Sequence, residues 1–358
     1  MRAAGALSTH PIVATALGEC AGQVLEALDG ARPSFALVAV TPPHLGTLED
    51  VGSTLRAVLD PGVILGAVSS AVVGAGLHVE AVPALTLFAL TGIEATPLLL
   101  EPDRRGALRR HADTRTDAHR ATAGVVLADP FSCPAPALVA ALDGVEVCGG
   151  LLGAARGPGG SRLLLDGAVR TSGAVGVLLG PPARAAASQG GTPVGPTWVI
   201  TRAEGDDVLE LGGRPAGERR REALGDLARP GPTGLGLVVD EQAERPDRDA
   251  LRVVRVRGPG PGGGLRLAEP LAVGRVVRFV RLGPAEVEGD LVTTLANGGG
   301  GRRASLLFPG PDRARDAGLA AELLGMMTAG VGVGAPLAPL AGVTALHGAD
   351  ATGLLLLP

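Results

Sequence analysis

The chain has 358 residues, of which 46% are hydrophobic, enough to fill two domain-sized cores. With a net charge of −4 and only 2% aromatic residues, it lacks both the basic surface and the stacking side chains typical of nucleic-acid-binding proteins. Lys and Tyr are absent, which excludes Schiff bases on Lys, a phosphate-binding Walker Lys and catalytic Tyr acids.

The first predicted elements are a helix and a strand-helix-strand-strand unit. Apolar residues recur at helical spacing from Val13 to Leu28, which predicts an amphipathic helix that covers a sheet. The unit that follows opens with the apolar run Phe35 to Val40 and a polar turn. Its helix is predicted between residues 48 and 58, its second strand is Val63 to Val68, and Ala84 to Leu90 closes it.

The same unit recurs twice, with opening strands at Ala123 to Leu127 and at Ala304 to Phe308. The interval from the start of each unit to the Gly in its second strand supports the repeat. It is 31 residues from 35 to 66, and 26 residues both from 123 to 149 and from 304 to 330. Chance is the alternative in a chain rich in Ala, Gly and Val. In the second copy, Ser132 is predicted to cap the helix.

Two further regions complete the prediction of an α/β fold with mixed or antiparallel sheets, outer helices and repeated strand-helix-strand-strand modules. Four strands separated by Gly/Pro-rich turns are predicted between the second and third copies: Leu235 to Val239, Leu251 to Val256, Leu265 to Ala268 and Val276 to Val280. The charged segment 101–120 is predicted to be an exposed loop. This segment contains four side chains of metal-ligand type: His111, Asp113, Asp117 and His119. Because they lie in an exposed loop, we predict no metal site there. We also predict no cofactor.

The stretch from Leu323 to Leu346 is uncharged and long enough to cross a bilayer. Gly and Pro interrupt it repeatedly, so buried strands joined by a turn at 334–339 are predicted instead. The three cysteines form no C-x-x-C pair, which is typical of buried thiols in a reducing cytosol. The use of Arg in place of Lys matches the coding bias of high-GC bacteria. We therefore predict a bacterial, cytoplasmic protein that binds neither membrane nor nucleic acid.

The most specific pattern is Ser188 to Glu218, SQGGTPVGPTWVITRAEGDDVLELGGRPAGE. It predicts a Gly/Pro turn at 190–196, a strand through Trp198, a hairpin to a second strand at 208–211, and a helix with Pro215 in its first position. This order of residues resembles the FIST family (F-box and intracellular signal transduction proteins), in which a FIST N domain precedes a FIST C domain. Looser likenesses extend the resemblance along the chain: FALVAVTPPH, GVILGAVSSAVVGAGLHVE, CGGLLGAARG, ASLLFPG and LHGADATGLLL.

We predict an N-terminal helix region at 1–31. The resemblance implies a FIST N-like domain at 32–229 and a FIST C-like domain at 230–358. It also implies a sensory module that binds a small polar ligand, such as an amino acid or a related metabolite, and signals to an unknown downstream protein. The sequence shows no catalytic constellation, so an enzyme is not the expectation. The alternatives are a hydrolase or transferase acting through Ser69 or a backbone oxyanion site, and a scaffold or adaptor without a ligand.

Eight residues near strand ends are predicted to bind the ligand. Hydroxyl, amide and imidazole groups and bare Gly backbone at such positions can hydrogen-bond a polar molecule. The alternative for each is that it satisfies neighbouring backbone or packs in the core. The predicted ligand-binding residues are Ser69, Ser70, Gly149, Gly150, Ser188, Gln189, Gly190 and His347.

Overall fold

The computed structural model describes residues 1–110, 121–225, 232–239, 251–297, 304–313, 315–324, 327–333, 335–340, 343–347 and 351–357. The chain forms two compact units, Met1–Ser188 with Val292–Pro358, and Gln189–Leu291. In the sequence, the second unit is therefore inserted between two parts of the first. The four side chains of metal-ligand type at 111–119 lie outside the described residues.

The described residues form six α-helices and 26 strands. In chain order, the first part contains β1 (Arg2–Ser8), α1 (Val13–Ala27), β2 (Phe35–Val40), α2 (Leu48–Val58), β3 (Val63–Val68), β4 (Ala71–Gly74), β5 (Leu77–Glu80), β6 (Leu85–Thr91), β7 (Ala95–Pro102) and β8 (Leu108–Arg110). Next come β9 (Ala123–Ala128), α3 (Ala135–Ala141), β10 (Val147–Leu151), β11 (Leu163–Leu165), β12 (Ala168–Arg170), β13 (Ala174–Leu179) and β14 (Arg184–Ser188).

The remaining elements belong to the inserted part and to the C-terminal part. The former contains β15 (Thr192–Glu204), β16 (Asp207–Leu211), β17 (Arg214–Pro215), α4 (Ala216–Leu224), β18 (Thr233–Val238), β19 (Leu251–Pro259), β20 (Leu265–Leu267) and β21 (Val276–Arg281). The chain ends with α5 (Pro284–Asn297), β22 (Ala304–Pro309), α6 (Asp316–Leu324), β23 (Met327–Val331), β24 (Ala335–Leu340), β25 (Val343–Leu346) and β26 (Thr352–Leu357).

Three modules of the same topology build the first unit. Module 1 consists of β2, α2, β3 and β6, module 2 of β9, α3, β10 and β13, and module 3 of β22, α6, β23 and β26. In each module the first strand is parallel to the second and antiparallel to the last. The intervening helix provides the crossover that parallel neighbours need. The predicted α/β fold with mixed sheets and repeated strand-helix-strand-strand modules is confirmed.

Each module also contributes a β-hairpin to the sheet of another module. The β4–β5 hairpin of module 1 pairs with β23, β11–β12 of module 2 pairs with β3, and β24–β25 of module 3 pairs with β10. The three sheets therefore have the orders β1-β6-β2-β3-β11-β12, β25-β24-β10-β9-β13-β7-β8 and β14-β26-β22-β23-β4-β5. This exchange joins the three modules in a closed ring.

The three sheets share one apolar core. Phe35, Phe88, Val125 and Phe308 are fully buried in it, together with other residues that alternate along the strands. The residues between them face the helices, so that α1 and α2 pack on the outside of the first sheet and α3 packs on the second. The helix predicted at Val13 to Leu28 thus covers a sheet, as expected.

Three local predictions were wrong because Gly, Pro and charged residues, which usually indicate loops, lie in paired strands of this fold. In the described part of segment 101–120, the end of β7 and the strand β8 pair as a hairpin, so the predicted loop is limited to the mostly exposed turn at 103–107. The predicted turn at 334–339 is largely strand β24, which pairs with β10 on one side and β25 on the other. The predicted turn at 190–196 belongs mostly to β15, where a bulge between Val194 and Thr197 accommodates the irregular residues. Strand β1 was not predicted.

The inserted unit is a closed antiparallel barrel. Its strands follow the order β15-β21-β18-β19-β20-β16, and pairing of β15 with β16 closes it. Side chains fill the interior, with the rings of Trp198 and Phe279 edge to face at a centroid distance of 5.4 Å. The four strands predicted between residues 235 and 280 are confirmed, as is the hairpin that follows Trp198. Pro215 is the N-cap of α4, one position before the predicted one.

Within the described ranges, no helix has the length and hydrophobicity that a bilayer crossing requires. The division of the sequence into a helix at 1–31 and domains at 32–229 and 230–358 concerns sequence families and stays a prediction.

Candidate functional site

The carboxyl ends of the three parallel strand pairs meet at one segment, residues 332–338, of which residue 334 is not described. The Ser69 hydroxyl, just after β3, donates to the carbonyl oxygen of Gly332, just after β23. Gly150, near the end of β10, lies so close that an added Cβ would be 2.5 Å from the carbonyl oxygen of Ala335. Ligands of α/β proteins bind at the carboxyl ends of strands. The 332–338 segment is therefore the centre of the candidate site.

Two neighbouring serines differ in their environment at this segment. Ser69 is fully buried, and its backbone N–H donates to the Val40 carbonyl oxygen at 2.9 Å. Its hydroxyl proton is directed to a carbonyl oxygen rather than to an imidazole or a carboxylate, which is not the geometry of an activated nucleophile. Ser70 is exposed. Of the pair, Ser70 is the residue that a ligand can reach from solvent.

Gly149 occupies a position at which only a residue without a side chain fits. Its φ is +130°, and an added Cβ would lie 1.9 Å from the carbonyl oxygen of Val126 on β9. On the other side it is paired with Leu337 of the 332–338 segment. Gly330 is the corresponding residue of module 3, where a Cβ would lie 1.8 Å from the Leu307 carbonyl oxygen. Close strand packing therefore explains these glycines.

His347 is buried against the same segment. Its backbone N–H donates to the Pro336 carbonyl oxygen at 2.8 Å, and its Nε2 lies 3.2 Å from the Ala338 carbonyl oxygen. Four of the eight predicted residues are thus brought together by the 332–338 segment: Ser69, Gly149, Gly150 and His347. Ser70 directly follows one of them.

Ser188 belongs instead to a buried ion-pair cluster that sequence reasoning missed. The guanidinium Nε of Arg313 lies 3.0 and 2.9 Å from the two carboxylate oxygens of Asp316, and both side chains are 2% exposed. Arg313 Nη2 also donates to the Ser188 hydroxyl at 2.8 Å, and the Thr352 hydroxyl donates to Asp316. The only local signal was an Arg and an Asp three residues apart, since Ser188 is 125 residues from Arg313.

Gln189 and Gly190 belong to the inserted unit and have structural partners there. The Gln189 amide donates to the Leu251 carbonyl oxygen at 2.5 Å and accepts from the Val253 N–H at 3.0 Å, so it acts as an extra partner for β19. The Gly190 N–H donates to an Asp290 carboxylate oxygen at 2.8 Å. The hydrogen bonds of both residues therefore stabilise the structure of the inserted unit.

A second polar cluster surrounds Asp129, at the end of β9. The Asp129 carboxylate accepts hydrogen bonds of 2.6 Å from the hydroxyls of Ser132 and Ser161, and one of 2.9 Å from the Ser132 N–H. The prediction that Ser132 caps the following helix was wrong. The Ser132 hydroxyl hydrogen-bonds to Asp129 within the turn, and Pro134 is the N-cap residue of α3. Sequence spacing alone did not distinguish these roles.

His44, in the short helical turn after β2, was also missed. Only 4% of its surface is exposed, and within the described chain its Nε2 has no hydrogen-bond partner. Buried polar atoms are rarely left without one, because a buried unsatisfied group is costly. The signal available in the sequence was a polar residue in the turn that follows the first strand of a repeat.

The cysteines are buried, as predicted. Cys20, Cys133 and Cys148 are all free thiols. Burial raises the pKa of Cys20 to about 12 and that of Cys133 to about 11, and it also raises the pKa of Cys148. Because the thiolate is the reactive form, none of the three is poised for nucleophilic or redox chemistry. In the ranges that the structure covers, no group of His, Cys, Asp or Glu side chains is arranged to hold a metal ion.

We expect native protein to be unreactive toward a thiol reagent such as dithionitrobenzoate at mildly alkaline pH. Protonation and burial both suppress attack by these thiols. Unfolding in concentrated guanidinium chloride should release all three for reaction, and this provides the control. Rapid labelling of one thiol in the folded protein, measured by absorbance and located by mass spectrometry, would contradict the prediction.

Comparison with known proteins identifies the family of the chain. The model of the FIST N domain matches residues 34–214. The chain is 31% identical over 378 residues to the uncharacterized protein Mb0898c of Mycobacterium bovis and 30% identical over 384 residues to the uncharacterized protein Rv0628c of Mycobacterium tuberculosis. Each alignment covers 98% of both chains. The matched domain is one that suggests a sensory protein of signal transduction. The chain belongs to the FIST family.

Proposed function

We propose that this protein binds a small polar ligand, such as an amino acid or a related metabolite, and serves as a cytoplasmic input component of signal transduction. The observation that carries the proposal is the meeting of three parallel strand pairs at the 332–338 segment. Ligands of α/β folds collect at such carboxyl ends. The change on binding would be transmitted to a separate downstream protein.

Ser70 is the residue of this site that we assign to the ligand. The hydroxyl of its neighbour Ser69 already joins modules 1 and 3 through its hydrogen bond to Gly332. Ser70, in the same connection between β3 and β4, is exposed. Gly149 and Gly150 keep the backbone of the 332–338 segment close to β10, and His347 hydrogen-bonds to the same segment. Ser188, Gln189 and Gly190 stay predicted ligand residues, and their hydrogen bonds favour a structural role.

A thermal-shift screen against amino acids, small carboxylates and nucleotides tests the proposal. A ligand present at about 100 times its dissociation constant adds roughly 2.7 kcal/mol of stability, which corresponds to a shift of roughly 3–4 °C for a chain of this length. Ser70→Phe should block the site and remove the shift. Ser53→Ala, at an exposed serine on α2, is the matched control and should retain it.

The outcomes distinguish the classes of protein. A shift that survives in Ser70→Phe would place the ligand elsewhere. No shift with any compound would contradict the receptor proposal and favour a scaffold or adaptor. A hydrolase or transferase acting through Ser69 requires a base on that hydroxyl. Its bond to the Gly332 carbonyl oxygen argues against this alternative.

A further inference from the structure

The three modules provide an internal comparison of equivalent positions. Strand register pairs Val38 with Gly66 in module 1, Val126 with Gly149 in module 2, and Leu307 with Gly330 in module 3. Six residues after the first member of each pair, the chain turns at the carboxyl end of the opening strand. The residues at this position are His44, Ser132 and Arg313, and all three are polar.

In two modules this polar side chain meets a carboxylate of the same turn. The Ser132 hydroxyl donates to Asp129 at 2.6 Å, three residues before it. The Arg313 guanidinium binds Asp316, three residues after it, at 2.9 Å. The position is therefore one at which the fold places a hydrogen-bond donor against a negatively charged oxygen.

Module 1 lacks such a carboxylate. Thr41 and Thr47 occupy the positions that correspond to Asp129 and Asp316. The Thr41 hydroxyl donates to the Val82 carbonyl oxygen at 2.7 Å, and the Thr47 hydroxyl donates to the carbonyl oxygen of His44 at 2.8 Å. The His44 imidazole is buried like the side chain of Arg313, yet its Nε2 is without a hydrogen-bond partner in the portion of the chain described.

Two exposed apolar residues belong to the chain around the His44 turn. Leu45, the next residue, is 40% exposed, and Val82, whose carbonyl oxygen holds Thr41, is 47% exposed. The imidazole is therefore buried in a turn that also carries an exposed apolar residue, and apolar side chains of this kind can contact the carbon skeleton of a ligand. The carboxyl ends of β2 and β3 form this edge of the sheet.

We propose that His44 binds the carboxylate of a small organic acid, which supplies in module 1 the contact that Asp129 and Asp316 make in the other two modules. An imidazole N–H is a suitable donor to a carboxylate oxygen. The inference rests on the proposed function, because it names the chemical class of the ligand and the side chain that anchors it.

Thermal shifts of four proteins with acetate, lactate and succinate, each against sodium chloride of equal ionic strength, test this assignment. We expect at least one carboxylate to raise the melting temperature of the unaltered protein by roughly 3–4 °C near saturation, and its amide analogue to have no effect. His44→Leu should lose the shift, and His44→Gln, which keeps N–H donors, should retain part of it. His10→Gln, outside the site, should behave like the unaltered protein.

The ligand-free proteins provide a second readout. Replacing a buried, unsatisfied imidazole by an apolar side chain should raise the melting temperature of ligand-free His44→Leu by about 2 °C. Lower stability of this variant, or a carboxylate shift that persists in it, would overturn the role of His44. If only neutral polar compounds shift the unaltered protein, the carboxylate assignment fails while the receptor proposal stands. If no compound shifts it, both fail.

Discussion

Gly149→Ala is expected to destabilise the protein by about 4 kcal/mol or more, or to prevent the first unit from folding. A methyl group at this position would lie 1.9 Å from the Val126 carbonyl oxygen, so β9 and β10 must separate. The φ of +130° adds backbone strain for any residue with a side chain. Urea unfolding followed by far-ultraviolet circular dichroism measures the loss. Fluorescence of Trp198, the single Trp, reports on the inserted barrel separately.

Gly22→Ala is the matched control for this substitution. Gly22 is an exposed residue within α1, and an added Cβ would meet no atom within 4 Å. Because Ala has the higher helix propensity, this variant should gain roughly 0.5–1 kcal/mol. If Gly149→Ala unfolds at the same urea concentration as the unaltered protein, the close packing of β9 on β10 is wrong.

Arg313→Met is expected to cost about 3–5 kcal/mol of unfolding free energy, because it leaves the Asp316 carboxylate buried without its counter-ion. The double variant Arg313→Met/Asp316→Leu removes both charges and should be more stable than the single variant. A double variant that is more stable than the single variant indicates a buried ion pair, because substitutions at independent sites would add their costs in stability. The measurement is the urea midpoint of the three proteins.

Arg2→Met serves as the control for loss of an exposed pair. Arg2 contacts Asp29 at the surface, where the two side chains are 56% and 73% exposed. Solvent screens such pairs, so the change should stay within about 0.5 kcal/mol. A double variant at 313 and 316 that is less stable than Arg313→Met would show that the two side chains do not act as a pair.

Much of the fold could be predicted because local patterns identify elements. The runs from Phe35, Ala123 and Ala304 are wholly buried strands, and similar intervals to a Gly revealed the repeat. Which strands become neighbours could not be predicted. The hairpin exchange depends on pairings such as Val73 with Gly330, far apart in the sequence, and hydrophobic periodicity carries no information about partners.

The candidate site was predicted only in part for the same reason. Strand-end reasoning found Ser69, Gly149 and His347, which the 332–338 segment brings together. It could not find His44 or Arg313, because the significance of each depends on what its side chain contacts. A polar residue in a turn is usually solvated, and only burial distinguishes these two.

Because of the hairpin exchange, some strands that are synthesised early have partners that are synthesised late. As the chain leaves the ribosome, β4 and β10 emerge with one edge unpaired, and their partners β23 and β24 are translated last. All strands of the inserted barrel emerge before β22, so the barrel can close while the first unit is still incomplete. We therefore expect a purified chain truncated before residue 304 to hold a protease-resistant barrel together with protease-susceptible modules. A stop codon before β23 would thereby remove the strands that pair with the β4–β5 hairpin of module 1 and with β10 of module 2.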